Sequence, residues 1–208
     1  MRKKQTRLKK VISMSAIIDR AVNIIRRGGI VAFPTETSYG LAVDYENEKA
    51  LEKLYRIKQR SHEKALLVLV ESREQLFQLV TFVPDEYRIL MDRFWPGPLT
   101  LIFPARNELS TVLTGGSGTI GVRISPHPLA TRLVNSYGKP LTATSANLSG
   151  KSPAKSAGEI RKIFKERVDF ILEEDTDLPG NCSTIVGIQN RKLKILRNGV
   201  LDLTQMIP

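Results

Sequence analysis

The 208 residues predict an α/β or α+β layer fold with helices around one mixed β-sheet. Three observations carry this. Short apolar runs of strand length recur along the chain (GGIVA, ALLVLV, LTLIF), segments between them repeat apolar residues with helical spacing, and Gly or Pro stands where one pattern yields to the next.

The first helix has Ser15 as its cap, an apolar face of Ile17, Ile18, Ala21, Val22 and Ile25, and Gly28-Gly29 as its end. A buried strand at 30–33 follows. FPTETSYGL at 33–41 then turns polar, without helical spacing or the alternation of a further strand. Residues 47–58 read as a helix through Ala50, Leu51, Leu54 and Tyr55, and 65–70 as a buried strand. Helical segments are expected near 72–80 and 84–93. WPGPLTLIFPA breaks at its prolines and resumes as a strand at 99–103. A strand at 119–124 precedes a helix at 128–137, which starts with Pro128 and stops at Gly138. A short strand at 140–143, a helix at 156–166 and a strand at 168–172 come next. A hairpin, STIVGI and KLKILR across Gln189-Asn190, closes the chain.

The length suits one domain able to bury a core without staples. A single cysteine, Cys182, excludes an internal disulfide, and the lack of a leader or long apolar run makes a reducing cytoplasm the expected address, with no membrane association. Charge is unevenly placed. Of 32 Lys and Arg against 21 Asp and Glu, six basic residues and no acid fall in the first ten, so the remainder carries only +5. The expected division is a flexible basic tail at 1–13 and a folded domain at 14–208. Such a tail attracts RNA or an acidic surface, and reads equally as a solubilising extension or a start codon placed too early.

The common nucleotide signatures fail. Gly116 to Gly121 spell G-x-G-x-x-G, but they precede a strand, whereas the dinucleotide fingerprint follows a strand and opens a helix. No phosphate loop of the G-K-[ST] type exists, and two histidines, His62 and His127, give little material for a metal site or a triad. Polar residues at strand ends remain. Lys58-Gln59-Arg60, if extended, points Lys58 and Arg60 the same way to grip phosphates; alternatively they are cations favouring a helix C-terminus. Thr144-Ser145-Ala146-Asn147 supplies hydroxyl and amide groups, or is a capped turn. Arg123 lies in an apolar strand, where a charge needs a partner, and Arg197 ends another. Each is open to a structural ion pair, but four polar clusters at strand ends point to a shared cleft for an anionic ligand.

FPTETSYGLAVD, KQR, FWPGPLTLIFPA, TIGVRISPHPLA, TSANLSG and the closing STIV and ILRNGV, in this order over roughly residues 15–200, resemble the YrdC-like family of threonylcarbamoyl-AMP synthases. The resemblance implies a twisted mixed sheet with a basic concave cleft, and an enzyme joining ATP, L-threonine and bicarbonate or CO2 into threonylcarbamoyl-AMP with release of pyrophosphate. It implies Thr35, Arg123 and Ser183 as threonine contacts. It places Lys58, Arg60, Thr119, Ser145, Asn147 and Arg197 around ATP, with Lys58 and Arg60 as the catalytic pair nearest the phosphates. Mg2+ is expected to travel with ATP, without protein side chains as its ligands. Implied partners are tRNA or double-stranded RNA and separate transferase proteins that make the threonylcarbamoyladenosine modification.

Two departures stand out. Many relatives follow the Lys-x-Arg element with Pro and later Asn-Pro-Leu-Ile-Val-His, where this chain has Ser61 and then Lys64 to Leu69. Longer relatives carry a further C-terminal domain, and an end at Pro208 is expected to mark the short form. The rival readings are an RNA- or ribosome-binding module of the same fold without chemistry, and a paralogue with a different substrate. The intact Lys58-x-Arg60 and Ser145-x-Asn147 argue against the first, because a phosphate-backbone binder does not need that set.

Overall fold

The computed structural model describes residues 13–207; the basic run at 1–12 lies outside the described residues. In chain order the elements are α1 (Met14–Arg26), β1 (Val31–Pro34), β2 (Tyr39–Ala42), α2 (Glu48–Lys58), β3 (Leu67–Leu69), α3 (Arg73–Leu76), α4 (Arg88–Phe94), β4 (Leu99–Pro104), α5 (Thr111–Thr114), β5 (Thr119–Arg123), α6 (Pro128–Tyr137), β6 (Leu141–Thr142), β7 (Thr144–Ser145), α7 (Ala157–Phe164), β8 (Phe170–Ile171), β9 (Thr184–Gln189) and β10 (Lys192–Arg197). The α/β class holds, and the strands divide between two mixed sheets. One has the order β7-β2-β1-β8 and the other β10-β9-β4-β5-β3-β6.

Several expectations shift, each for a local reason. Ser13 rather than Ser15 caps α1: its extended backbone lets Oγ accept from Ala16 N at 3.2 Å. β2 appears where the sequence reads as polar loop. It pairs antiparallel with β1, from Val31 opposite Ala42 to Pro34 opposite Tyr39, so Thr35–Ser38 is a hairpin turn. All four β2 residues are buried, which removes the alternation that marks a half-exposed strand. The expected strand at 140–143 is β6, which pairs with β3, and a further strand, β7, follows it directly and pairs with β2 on the other sheet. The chain crosses between the sheets at Ala143, whose N–H donates to Leu67 O at 2.7 Å. Only Arg73–Leu76 is helical in the segment expected at 72–80, and a single 3-10 turn, Asp85–Tyr87, precedes α4.

Two apolar cores hold the layers. Val22 and Ile25 of α1 pack with Phe33, Leu133 and Leu141 on the outer side, while Leu54, Val68, Leu101, Phe103 and Val122 belong to the core between α2 and the larger sheet. Gly121 on β5 leaves room for Leu67 on the neighbouring β3: a Cβ there would lie 2.3 Å from Leu67 Cδ2 and make that side chain move.

Lys58 ties the helical layer to the sheet crossover. It ends α2 with 1 % of its surface exposed, and Gln59 follows in the left-handed region at φ 51. Its ammonium donates to Ser145 O, to Asn147 O at 2.9 Å and to Asn147 Oδ1 at 3.1 Å, using all three protons. Burial, assisted by neighbouring Arg60, pushes the Lys58 pKa from 10.5 down to about 7. A folded pKa below the unfolded one means the unfolded chain binds more protons between those values, so this group's contribution to stability grows with rising pH there. The unfolding free energy of wild type minus that of Lys58→Met, from urea titrations, is expected to increase steadily from pH 7 to 10. A pH-independent difference would contradict this account of the buried ammonium.

Candidate active site

A cleft of about 270 Å³ opens between the two sheets, lined by β2 on one side and by β4, β5, β9 and β10 on the other. Thr35, Arg60, Thr119, Arg123, Ser145, Ser183 and Arg197 all line it. Seven of the nine residues expected from the sequence are thus gathered in one place. Lys58 and Asn147 stand behind the wall.

The separation of Lys58 from Arg60 comes from Gln59. An extended 58–60 would aim both cations alike; Lys58 instead ends α2, and the left-handed turn at Gln59 buries it and leaves Arg60 at the cleft. Asn147 is likewise occupied internally. Its Oδ1 accepts from Lys58 and from Ser145 Oγ at 2.7 Å, and its Nδ2 donates to Lys151 O. These two residues shape the 145–147 segment and do not face the cleft.

Three guanidiniums do face it, each pinned by part of its fork. Arg60 Nε donates to Lys64 O at 3.1 Å and Nη2 to Ala65 O at 2.8 Å. Arg197 Nε and Nη2 both donate to Ser183 O, at 3.1 and 2.8 Å, and Nη2 reaches Ser183 Oγ at 2.9 Å. Arg123 Nη1 donates to Glu36 Oε1 at 2.9 Å and to Thr37 Oγ1 at 3.2 Å. Burial holds all three below the ordinary arginine value; Arg197 adds to this at Arg60 and Arg123, while Glu36 opposes it at Arg123. Arginine stays charged through such shifts, so the cleft is strongly cationic. Among the described residues Glu36 is the one carboxylate in an ion pair with any of the three.

The polar run Thr35–Ser38 is explained by this arrangement. Thr35 Oγ1 donates to Ser38 O at 2.7 Å and accepts from the Thr37 and Ser38 N–H groups at 3.3 Å, so a buried turn satisfies its own backbone. That turn carries Glu36 and Thr37 to Arg123. On the opposite wall Ser183 Oγ lies 2.8 Å from Thr100 Oγ1, a fully buried pair.

Sequence reasoning missed Glu36, Thr37 and Thr100. A signal existed for Glu36, because a charged Arg123 in an apolar strand demands a partner and Glu36 is an acid at a strand end. Thr100 inside an apolar run gave none. Neither histidine lines the cleft: His127 Nδ1 accepts from Leu129 N at 3.3 Å as the cap of α6, and exposed His62 stacks on Tyr55 at 4.5 Å.

Comparison with known proteins places this geometry. A family model for Sua5, YciO and YrdC proteins, described as telomere recombination, matches residues 23–199. A curated threonylcarbamoyl-AMP synthase of Idiomarina loihiensis is 41% identical over 167 residues, which is 79% of this chain and 90% of that protein. The crystal structure of P. abyssi Sua5 complexed with L-threonine matches with a TM-score of 0.86 at 36% identity. That match covers 91% of this chain but 56% of the other, so the chain spans little more than half of the archaeal protein. The structure of E. coli YciO matches with a TM-score of 0.83 at 26% identity, over 92% of this chain and 93% of that one. By this extent of sequence and structural agreement, the chain belongs to the Sua5/YciO/YrdC family.

Proposed function

We propose that this chain is a threonylcarbamoyl-AMP synthase, a nucleotidyltransferase that forms threonylcarbamoyl-AMP and pyrophosphate from ATP, L-threonine and bicarbonate or CO2. The observation that carries this reading is the set of three arginines anchored on the protein with part of each fork left toward one small cleft. A relative of the same length class bears this name at 41% identity, and another family member has been crystallised with L-threonine.

The chemistry asks for such a cleft. The threonine amine attacks CO2 to give a carbamate and release a proton; a carbamate oxygen then attacks the α-phosphorus of ATP and pyrophosphate leaves. Nucleophile and electrophile are both anionic, so positioning and charge neutralisation supply the catalysis, and no protein nucleophile is needed. Arg123, with Thr35 and Ser183, takes the amino acid through its carboxylate. Arg60 and Arg197, with Thr119 and Ser145, take the phosphates. Lys58 and Asn147 act through the shape of the 145–147 segment.

Mg2+ is expected to arrive with ATP. Among the described residues no group of three or more His, Cys, Asp or Glu is placed to hold a metal, and Glu36 is engaged by Arg123 and Ser125. The ion would be carried by the nucleotide phosphates, and no step here is routed through protein-bound metal.

The alternative of an RNA-binding module without chemistry is disfavoured by where the cations sit. The Arg123 side chain is 9 % exposed, inside a cleft whose volume of about 270 Å³ cannot admit a duplex. tRNA and a transferase remain proposed partners for the product, and a cytoplasmic setting is proposed with them. No helix among the described residues is long and apolar enough to cross a membrane.

Purified protein is expected to release pyrophosphate from ATP only when L-threonine and bicarbonate are both present. Release independent of threonine, or none at all, would overturn the assignment. Arg60→Ala and Arg197→Ala are each expected to lower kcat/KM for ATP by about ten- to hundredfold, the cost of one charge-assisted hydrogen-bonding group. Steady-state kinetics with saturating threonine reads this directly, and unchanged values would remove both residues from the phosphate site.

A further inference from the structure

Glu36 is the acid of the polar turn, and the reaction described above gives it no task. Its side chain is 17 % exposed, and both oxygens are used: Oε1 accepts from Arg123 Nη1 at 2.9 Å, and Oε2 accepts from Ser125 Oγ. The second proton of Arg123 Nη1 goes to Thr37 Oγ1 at 3.2 Å, within the turn that Thr35 closes. Nη1 is therefore fully engaged. No acceptor among the described residues takes the protons of Nε and Nη2, and Arg123 lines the cleft. A planar fork held at one nitrogen in this way has a defined opposite edge, which is the edge that binds a carboxylate through two parallel hydrogen bonds.

A second set of contacts fixes Glu36 itself. Ser125 Oγ also accepts from His127 N at 3.2 Å, at the start of α6, and His127 Nε2 lies 3.3 Å from Glu174 Oε2. Glu174 N donates to the hydroxyl of Tyr39 on β2 at 2.9 Å. The β1–β2 turn, β5 and the α6 start are thus joined around one carboxylate.

We infer that Glu36 is a positioning residue for amino-acid binding: it orients the Arg123 guanidinium so that the Nε–Nη2 edge is preset for the substrate carboxylate. This rests on the reading of Arg123 as the carboxylate receptor. Electrostatics alone makes the opposite statement about Glu36. An anion beside Arg123 weakens the attraction of a second anion, so removing it by charge effects would tighten carboxylate binding.

The two accounts separate cleanly in the full-length enzyme. L-Threonine and L-threoninamide, the analogue that lacks the carboxylate charge, are titrated calorimetrically into wild type, Glu36→Gln, Glu36→Ala and Arg123→Ala, with KM for both substrates and kcat measured beside them. Glu36→Gln keeps an acceptor for Nη1 and a donor for Ser125, and is expected to bind threonine within about threefold of wild type. Glu36→Ala frees the guanidinium and is expected to weaken threonine by about tenfold or more while leaving KM for ATP and the weak threoninamide binding unchanged, the scale of effect that misplacement alone produces. Equal or tighter threonine binding in Glu36→Ala overturns the inference, as does a loss in Glu36→Gln matching that in Glu36→Ala, which would make the charge itself the contact. Arg123→Ala is the separate control. If it still prefers threonine over threoninamide as wild type does, the carboxylate reading of Arg123 fails, whatever the Glu36 variants do.

Discussion

Three like-charged guanidiniums share one small cleft, and their mutual repulsion has to be overcome before any ligand arrives. Arg123 is buried and Arg60 and Arg197 are half-buried, where a charge is costly and like charges oppose one another more strongly. The fold meets this with anchors. Lys64 and Ala65 carbonyls hold Arg60, the Ser183 carbonyl holds Arg197, and the Glu36 carboxylate holds Arg123. Mostly neutral acceptors fix geometry while leaving the net positive charge that an anionic ligand needs.

The architecture follows from placing those anchors. Arg123 ends β5 and Arg197 ends β10, two strands of the six-stranded sheet, whereas Glu36 sits on a turn of the four-stranded sheet. Bringing them together requires the sheets to be locked in register. The chain does this where it passes from β6 to β7, and Lys58 secures the next residues by donating to Ser145 and Asn147. A residue that never faces the cleft therefore decides the position of one of its walls. Burying that ammonium costs stability, and the three oxygens around it offset only part of the cost, as its lowered pKa shows.

Much of this was legible in the sequence, in proportion to how local the cause was. α6 runs from Pro128 to Tyr137 as its punctuation states, because Pro at the first turn and Gly beyond the last act through their own backbone angles. β2 was hidden because burial on both faces erases alternation, and the division into two sheets because pairing partners lie far apart in the chain. In the site, polar residues at strand ends pointed to one shared cleft, and seven of the nine named residues line one. The Lys58-Gln59-Arg60 motif left two readings open, and spacing could not choose between them because it does not reveal that Gln59 adopts φ 51 and turns the two cations apart. Thr100 was invisible, since one hydroxyl in an apolar strand looks like packing until Ser183 is seen 2.8 Å away.

The central claim is that the cleft receives the amino acid on Arg123 and the triphosphate on Arg60 and Arg197. A crystal structure of this protein with L-threonine and a non-hydrolysable ATP analogue tests it most directly. The account predicts the threonine carboxylate on the Nε–Nη2 edge of Arg123 with the Glu36 contact retained, and phosphate oxygens on the open edges of Arg60 and Arg197. Threonine bound away from Arg123, or phosphates seated outside the cleft, would contradict it.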